Sequence, residues 1–496
     1  MTSWSRGYVA DAPYVVSYNH QQTPAHVAMA LAVNGVDWRP RPGMTLVDIG
    51  CGRGLTTAVL AAANPTWMVI GLDYNPAHVA EATAFAEEAG LDNLRFLEAD
   101  LAAMSDADLA AIPAADMMML HGVWTWVADP VRAGIVRLLA QRLKAGGVFY
   151  CAYNALPGFG ENMALQRLVR VAAAMPSRGD SVSRVLSAAP FVKRVRDAGA
   201  MHLKDTRMLK MVVGEEGNPD PAYLAHEMMT DHWRPVFFGD LFEALAPARM
   251  EHAGSATLAE NFPSLVLEPE QIAIVEEVPE GPPRELVKDL FLVRPFRRDL
   301  FVRGARRADR TALLDRIVVG LSAHRADGTL PPLRTIVGKI EVPEAISRPI
   351  LAALEERPRT LGELRTLPGS GRMSPEELLV VLDGTDTVLP IWNPQPDAAA
   401  VARARRFNRV LAQTFAPQGV GDTRLGLASP WIGAGLGCSP LEAALTARDD
   451  LATRAPAELA VAVAGELEGE GLAQATAVVT QTLQERLPAW RRFGVA

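Results

Sequence analysis

The sequence predicts an α/β fold built around a doubly wound sheet. Strand-like apolar runs alternate with helical segments through residues 45–158, which is typical of such a sheet. The first run, 44–47, leads into a glycine turn, and a helical run, 55–63, follows it. The turn has the sequence Val47-Asp48-Ile49-Gly50-Cys51-Gly52-Arg53-Gly54. Such a turn lets a ligand approach main-chain N–H groups at the start of a helix, so it is the candidate ligand site.

The remaining elements follow in chain order. Asn75 and Pro76 are a good N-cap and first helical residue after the second strand. An amphipathic helix over 130–143 separates the fourth and fifth strands. The last segment of the sheet, Arg298 to Arg303, would be an antiparallel seventh strand that closes the sheet near residue 305. The strands predicted after the glycine turn are 67–72, 94–100, 116–120, 148–153, 250–258 and 298–303.

Two carboxylates accompany the glycines. Asp48 lies two residues ahead of Gly50, near the carboxyl end of its strand, where open α/β sheets bind ligands. Asp73 follows the next strand, about 20 residues beyond the glycines, a position typical of a carboxylate that binds ribose hydroxyls. The Gly-x-Gly-x-Gly spacing differs from the Gly-x-Gly-x-x-Gly fingerprint of NAD sites. An acid beside the loop also suits a cationic amino group better than a phosphate.

The string 47–54 resembles the first motif of class I S-adenosylmethionine methyltransferases. The resemblance implies a Rossmann-like methyltransferase sheet that binds S-adenosyl-L-methionine, with Asp100 and Leu101 at the adenine. It also implies that the fourth strand ends, at His121, where the transferred methyl group would lie. The predicted cofactor-binding residues are Tyr14, Asp48, Gly50, Cys51, Gly52, Gly54, Asp73, Tyr74, Asp100, Leu101, His121 and Gly122.

A narrower resemblance covers most of the first 310 residues. The segments 121–126 (His-Gly-Val-Trp-Thr-Trp), 153–158 (Tyr-Asn-Ala-Leu-Pro-Gly) and 223–227 (Tyr-Leu-Ala-His-Glu) are similar to bacterial methyltransferases with a methyltransferase regulatory domain. That subgroup includes the rickettsial protein lysine methyltransferases. The resemblance implies a desolvated aromatic channel that keeps an acceptor amine neutral.

The candidates for this channel follow the fourth and fifth strands. His121 has a reference pKa near neutrality, which suits a proton acceptor. The alternative interpretation is that His121 orders its loop and that the tryptophans belong to the core. The predicted catalytic residues are His121, Trp124, Tyr153 and Asn154, with Trp126 as a further channel residue.

The N-terminal segment 1–42 has two interpretations. It is either a helix that covers one sheet edge, with tyrosines as anchors, or a cap over the cofactor. In the second case Tyr14 or Tyr18 would lie near the sulfonium, because aromatic faces suit a positive charge. Near the other end of the predicted insertion, Glu227, Asp231 and His232 fit no standard metal spacing, so no metal is expected. Glu227 and His226 are interpreted as structural hydrogen-bonding groups.

Composition narrows the class of protein. The 496 residues predict two or three domains, and a formal net charge of −8 does not suggest nucleic-acid binding. Three widely spaced cysteines argue against a disulfide framework. The sequence has no signal-peptide core and no apolar run of membrane-spanning length. A soluble cytoplasmic protein is therefore expected.

The chain divides into six predicted regions. Helical patterns over 349–356, 360–367 and 374–382, followed by a strand, suit a winged helix, although it carries more acids than bases. Beyond it, 429–437 is predicted to be a glycine-rich packing or substrate-facing loop. The regions are an N-terminal cap (1–42), a cofactor-binding core (43–158), a helical insertion (159–235), the completion of the sheet (236–305), a winged-helix-like domain (306–395) and a mixed C-terminal domain (396–496).

The sequence thus predicts an S-adenosylmethionine-dependent methyltransferase that acts on protein lysines and has a homodimer as its expected assembly. A small-molecule N- or O-methyltransferase is the first alternative. A non-catalytic, cofactor-binding scaffold on the same sheet is the second. Ten basic residues between 167 and 210 are interpreted as a solvated helical face, with a lid for an acidic substrate as the alternative.

Overall fold

The protein is described from a computed structural model. The structure describes residues 4–175, 179–217, 220–325, 328–335, 338–371, 373–418, 423–465 and 468–496. Among these residues, no helix is both long and apolar enough to cross a bilayer. No group of three or more His, Cys, Asp or Glu side chains in the same ranges is arranged to hold a metal ion.

A seven-stranded sheet organises the first 302 residues, in the order β3-β2-β1-β4-β5-β7-β6. Strands β1 to β5 pair in parallel, whereas β7 is antiparallel to both β5 and β6. The predicted antiparallel seventh strand is therefore confirmed. The strands are β1 (Thr45–Ile49), β2 (Met68–Asp73), β3 (Leu94–Glu98), β4 (Ala115–His121), β5 (Leu143–Asn154), β6 (Glu251–Ser255) and β7 (Phe296–Val302).

Helices cover both faces of this sheet, as the predicted doubly wound fold requires. The alternation of side chains along β4 sends Met117 and Met119 into one core and Met118 into the other, because successive strand residues face opposite sides. Both faces of β4 are thus buried, which explains its unbroken apolar run. The helices of this part are α1 (Pro24–Val33), α2 (Leu55–Ala63), α3 (Pro76–Glu88), α4 (Asp106–Ala111) and α5 (Asp129–Arg142).

The segment between β5 and β6 is helical, as predicted. Helices α6, α7 and α9 share a core with the N-terminal residues Val9 and Ala12, so the start of the chain is packed against the insertion. The helices are α6 (Met163–Ala173), α7 (Ser181–Asp197), α8 (Arg207–Val212), α9 (Pro221–Met229) and α10 (Phe238–Ala244), followed between β6 and β7 by α11 (Pro263–Val266), α12 (Pro269–Glu276) and α13 (Pro282–Phe291).

Residues 310–390 form a small α/β unit. Its three-stranded antiparallel sheet has the order β11-β8-β12, and a separate hairpin pairs β9 with β10. The predicted helices and strand are present, while the winged-helix description and the domain boundaries stay predictions. The elements are α14 (Arg310–Asp315), β8 (Val318–Leu321), β9 (Leu333–Thr335), β10 (Gly338–Ile340), α15 (Glu344–Glu356), β11 (Arg359–Thr360), α16 (Leu361–Arg365), α17 (Pro375–Gly384) and β12 (Val388–Pro390).

The C-terminal region contains a β-hairpin where the sequence predicts a glycine-rich loop. Strands β13 (Leu425–Ser429) and β14 (Ala434–Cys438) pair in register and pack against α2, since a Cβ at Gly435 would lie 2.7 Å from Val59. Glycines at these positions allow the close approach of the hairpin to the catalytic half. The helices are α18 (Ala398–Phe415), α19 (Pro440–Leu445), α20 (Pro456–Ala464), α21 (Gly469–Gln481) and α22 (Leu487–Arg492).

Candidate active site

A cavity lies at the carboxyl edge of strands β1 to β4 and has an empty volume of about 960 Å³. Its position is the one where open α/β sheets bind ligands. Of the residues predicted from the sequence for the cofactor or the channel, those that line it are Tyr14, Gly50, Gly52, Asp73, Tyr74, Asp100, Leu101, His121 and Trp126.

The glycine turn forms the floor of the cavity. Gly50 has a φ of +72°, and a Cβ there would come within 2.5 Å of the Val123 side chain. The Gly52 N–H donates to Oδ2 of Asp73 at 2.8 Å, which ties the turn to the end of β2. Oδ1 of Asp73 accepts from the Asn75 N–H at 2.9 Å. Asp73 therefore orders the turn while it faces the cavity.

Asp48 lies beneath the turn and not at the cavity surface. It is 5 % exposed, and its Oδ2 accepts from the Thr57 hydroxyl at 2.6 Å. Burial raises the pKa of Asp48 to about 6. Three other predicted residues, Cys51, Gly54 and Gly122, are absent from the cavity lining. Gly54 instead begins α2 with a φ of +74°.

His121 lines the cavity, but both of its ring nitrogens have protein partners. Nδ2 of Asn19 lies 3.1 Å from Nε2, and the Tyr150 hydroxyl lies 3.0 Å from Nδ1. Because Oδ1 of Asn19 accepts from the Gln21 N–H, its amide donates to Nε2, so the proton of His121 is on Nδ1. Burial, together with the charge of Arg298, lowers the pKa of His121 to about 3. His121 is thus a neutral, ordering group, as the alternative interpretation states.

The other three catalytic candidates lie away from the cavity. The Trp124 side chain is buried in the core against α5, and its carbonyl accepts from Arg132 Nε at 2.9 Å. Tyr153 is fully buried on the same face, where its hydroxyl donates to Asp299 at 2.7 Å. Asn154 donates to Glu227 at 2.7 Å. These three side chains are therefore absent from the cavity lining, and their catalytic role stays a prediction.

The N-terminal segment covers the cavity, which favours the cap interpretation for Tyr14. Arg6 and Tyr8 line the cavity as well, and Arg6 pairs with Asp100 at 2.7 Å. Tyr18, the other candidate for contact with the sulfonium, lies elsewhere, because its hydroxyl bonds to Gly435 in the C-terminal hairpin. No local pattern in the sequence indicates Arg6 or Tyr8 as cavity residues, since their placement depends on packing against the helical insertion.

Aromatic rings enclose the side of the cavity that lies beyond β4. The ring centroid of Tyr14 is 5.8 Å from that of Trp126 and 5.0 Å from that of His226, and both contacts are edge-to-face. Tyr8 lies 5.4 Å from His226. We call Tyr8, Tyr14, Trp126 and His226 the aromatic wall. Three of its members, Tyr8, Tyr14 and Trp126, line the cavity, and His226 packs against all three.

Comparisons with known proteins agree with this geometry. The model of a methyltransferase domain matches residues 40–186, and the model of a predicted methyltransferase regulatory domain matches residues 220–303. The chain is a class I S-adenosylmethionine-dependent methyltransferase. The first match covers the glycine turn, Asp73 and Asp100, and the second begins at the last helix of the insertion.

The methyltransferase resembles other chains over most of its length. An uncharacterized protein of Synechocystis sp. is 27% identical over 451 residues, which cover 89% of this chain and 87% of that protein. An uncharacterized protein of Rickettsia prowazekii is 21% identical over 276 residues, 54% of this chain and 48% of that protein.

Solved structures confirm the fold of the methyltransferase. PKMT2 from Rickettsia typhi matches with a TM-score of 0.64 at 14% identity, covering 97% of this chain and 99% of that chain. The same protein in complex with AdoHcy matches with a TM-score of 0.65 at 14% identity, covering 95% and 99%. The match thus includes the C-terminal regions as well as the Rossmann-like sheet.

The regulatory domain of the methyltransferase takes part in the catalytic sheet. It supplies β6 and β7, and β7 pairs with β5 from Val148 to Asn154. It also supplies Glu227 on α9, which accepts a hydrogen bond from Asn154 at the end of β5. This domain therefore completes the catalytic sheet, and its residue His232 lines the cavity.

Proposed function

We propose that this enzyme transfers a methyl group from S-adenosylmethionine to the side-chain amine of protein lysines. The observation that carries the proposal is the aromatic wall at the end of the cavity where the methyl acceptor would enter. Aromatic faces bind a cationic or partly methylated amine, and their apolar surroundings favour its neutral form. The extensive structural match to PKMT2 from Rickettsia typhi supports the same class of acceptor.

The residues of the cavity fit the cofactor. Asp73, at the end of β2, would bind the ribose hydroxyls, and Asp100 with Leu101, after β3, would hold the adenine. The glycine turn, which has no side chain at Gly50 and Gly52, would lie against the methionine part of the cofactor. The sulfonium of the bound cofactor supplies an electrophilic methyl group with a neutral leaving group.

The protein contributes alignment and exclusion of water. The turn at Gly50 and Gly52 fixes the donor, while the aromatic wall limits the direction from which an acceptor can approach. The N-terminal segment closes the cavity with the Arg6–Asp100 pair, which removes water from the path of transfer. His121 does not serve as the base, because both of its nitrogens are hydrogen-bonded.

A labelling experiment tests the proposal. The purified enzyme is incubated with tritiated S-adenosylmethionine and a cell extract, and protein is separated from small metabolites. We expect label in protein, recovered as methylated lysine after acid hydrolysis. Label only in metabolites would refute the lysine acceptor and indicate the small-molecule alternative. The variant Asp73→Ala, which should not bind the cofactor, controls for other methyltransferases in the extract.

Three further expectations from the sequence stay predictions. They are the cytoplasmic location, the homodimer and the absence of nucleic-acid partners. Sedimentation of the purified enzyme would test the homodimer.

A further inference from the structure

The described part of the chain contains two kinds of buried carboxylate. Those with a cationic partner are Asp116 with Arg41 and Lys144, Asp289 with Arg294 and Arg297, Asp299 with Arg297, and Glu376 with Arg310. In the same ranges, Asp48 and Glu227 are buried and form no ion pair. A buried carboxylate without an ion partner is costly in its charged form, so each of the two is either protonated or a candidate site for a cation from outside the chain.

For Asp48, the sequence predicts such a cation, the amino group of the cofactor. Asp48 lies under the glycine turn, where an acid suits the amino group of the cofactor's methionine part. Glu227 has no comparable explanation, because it belongs to the regulatory domain and lies on the other side of the cavity.

The Glu227 carboxylate is held by hydrogen bonds to one of its oxygens, Oε1. It is 3 % exposed, and its Oε1 accepts from Asn154 Nδ2 at 2.7 Å and from Trp233 Nε1 at 2.9 Å. Both donors are neutral, so they orient the carboxylate without neutralising its charge. Burial raises the pKa of Glu227 above its ordinary value.

The carboxylate lies directly behind the aromatic wall. Burial raises the pKa of Tyr14, which lines the cavity, and the charge of Glu227 raises it further. The indole N–H of Trp126, which also lines the cavity, is close enough to lower the pKa of Glu227, yet it forms no hydrogen bond of ordinary geometry. The indole N–H of Trp126 and the carboxylate of Glu227, which has no ion partner, thus lie together behind the wall; Trp126 lines the cavity and Glu227 does not.

We infer that Glu227 is the counter-ion of the methyl acceptor, which binds as a primary or secondary ammonium between Tyr14 and Trp126. The inference deepens the proposed function and rests on it. Aromatic faces beside one carboxylate are a suitable receptor for an alkylammonium group and a poor one for an anion or an alcohol. Glu227, interpreted from the sequence as structural, is thereby assigned to the acceptor.

The chemistry of transfer gives Glu227 a second task. The bound ammonium, R–NH₃⁺, gives one proton to the carboxylate, which leaves R–NH₂ and a neutral Glu227. The nitrogen lone pair then forms the N–CH₃ bond while the C–S bond breaks and its electron pair stays on sulfur. The product is a methylated ammonium that keeps the positive charge, and the Glu227 proton is lost to water when the product leaves.

The variant Glu227→Gln tests the inference, because it removes the charge but keeps an oxygen for Asn154 and Trp233. With the proteins of the cell extract as acceptors, we expect the rate of methyl transfer to fall about a hundredfold or more, as for the loss of a general base. The dissociation constant of S-adenosylhomocysteine, measured by calorimetry, should stay the same. Asp48→Asn is the matched control, since it should instead weaken the binding of S-adenosylhomocysteine.

A pH profile separates this role from a structural one. The neutral fraction of a lysine amine with a pKa of about 10.4 rises about tenfold per pH unit below that value. The Glu227→Gln rate should therefore rise about tenfold per unit from pH 7 to 9, while the wild-type kcat stays flat. The groups around Glu227 do not change charge there, because burial raises the pKa values of Tyr14 and Tyr223 and lowers that of His226 to about 4.

The outcomes are distinct. If the wild-type enzyme labels no protein, the proposed function fails. If it labels protein and Glu227→Gln does so at a similar rate, the inference alone is overturned. Should Glu227→Gln fail to fold, the pair Glu227→Asp and Glu227→Asn replaces it, since these two side chains leave the same gap and differ in charge. Equal rates for that pair would also overturn the inference.

Discussion

Tyr18→Phe tests whether the C-terminal hairpin positions the active site. The Tyr18 side chain is 4 % exposed, and its hydroxyl donates to the Gly435 carbonyl and accepts from the Gly435 N–H, both at 2.8 Å. The ring lies against Gly426, where a Cβ would come within 2.4 Å of it. The substitution keeps this packing and removes both hydrogen bonds.

The consequences should reach the cavity through the same segment. One residue after Tyr18, Asn19 donates to His121 at 3.1 Å. Four residues before it, the Tyr14 N–H donates to His78 at 3.3 Å, and the Tyr14 ring lies 3.3 Å from where a Cβ of Gly52 would stand. Tyr18 is thus the attachment point between the hairpin and the segment that covers the glycine turn.

The expected size of the effect follows from the two lost hydrogen bonds. Leaving the buried N–H and carbonyl of Gly435 unpaired should lower the free energy of unfolding by about 2–4 kcal/mol. If the covering segment loosens, the free energy of ligand binding would also weaken, by up to about 2 kcal/mol. That corresponds to an increase of about thirtyfold in the dissociation constant. Urea unfolding and calorimetry with S-adenosylhomocysteine measure the two quantities.

A matched control separates positioning from general stability. Tyr153→Phe also removes a buried tyrosine hydroxyl, the one that donates to Asp299, but Tyr153 is not among the residues that line the cavity. It should lower stability and leave the dissociation constant unchanged. If Tyr18→Phe behaves in the same way as Tyr153→Phe, the reasoning about the hairpin is refuted and the hairpin only stabilises the fold.

Three further predictions concern the cavity itself. Asp73→Ala should abolish detectable S-adenosylhomocysteine binding in calorimetry, because it removes the acceptor that holds the Gly52 N–H, and retained micromolar binding would contradict this. Gly50→Ala should weaken binding at least about tenfold, because its Cβ would lie 2.5 Å from Val123, and adding Val123→Ala should restore part of the affinity. Because the pKa of His121 is lowered to about 3, this residue stays neutral from pH 5.5 to 7.5. His121→Gln should therefore keep the shape of the wild-type pH–rate profile. If the variant lost a change in rate that the wild-type enzyme shows near pH 6.5, the prediction would be contradicted.

Local signals made the cofactor half of the site predictable. The glycine turn needs positive φ at Gly50, Gly52 and Gly54, and all three have it. The positions of Asp73 and Asp100 in the chain are enough to place them at the carboxyl ends of their strands. Parallel strands bring such residues to one edge, so no knowledge of distant packing was required.

The acceptor half depends on contacts that no short stretch of sequence encodes. Tyr150 and Tyr153 lie three residues apart on β5 and face opposite sides of the sheet, so only one of them can lie near His121. The helical insertion and the N-terminal segment determine which side of the sheet borders the acceptor half of the site. The attachment of Tyr18 to Gly435 spans 417 residues and follows from tertiary packing alone.

The regulatory domain is joined to the catalytic sheet more closely than its separate family model indicates. Without β7, strand β5 would become a sheet edge, and its buried residues from Val148 to Asn154 would lose their partners. The buried pair Arg297–Asp299, at 2.8 Å, lies on β7 and receives the Tyr153 hydroxyl from β5, so its charges depend on the same strand pairing. A domain joined in this way does not undock as a separate body. Control of methyl transfer through it would instead act by small movements of α9, which carries Glu227, relative to the end of β5.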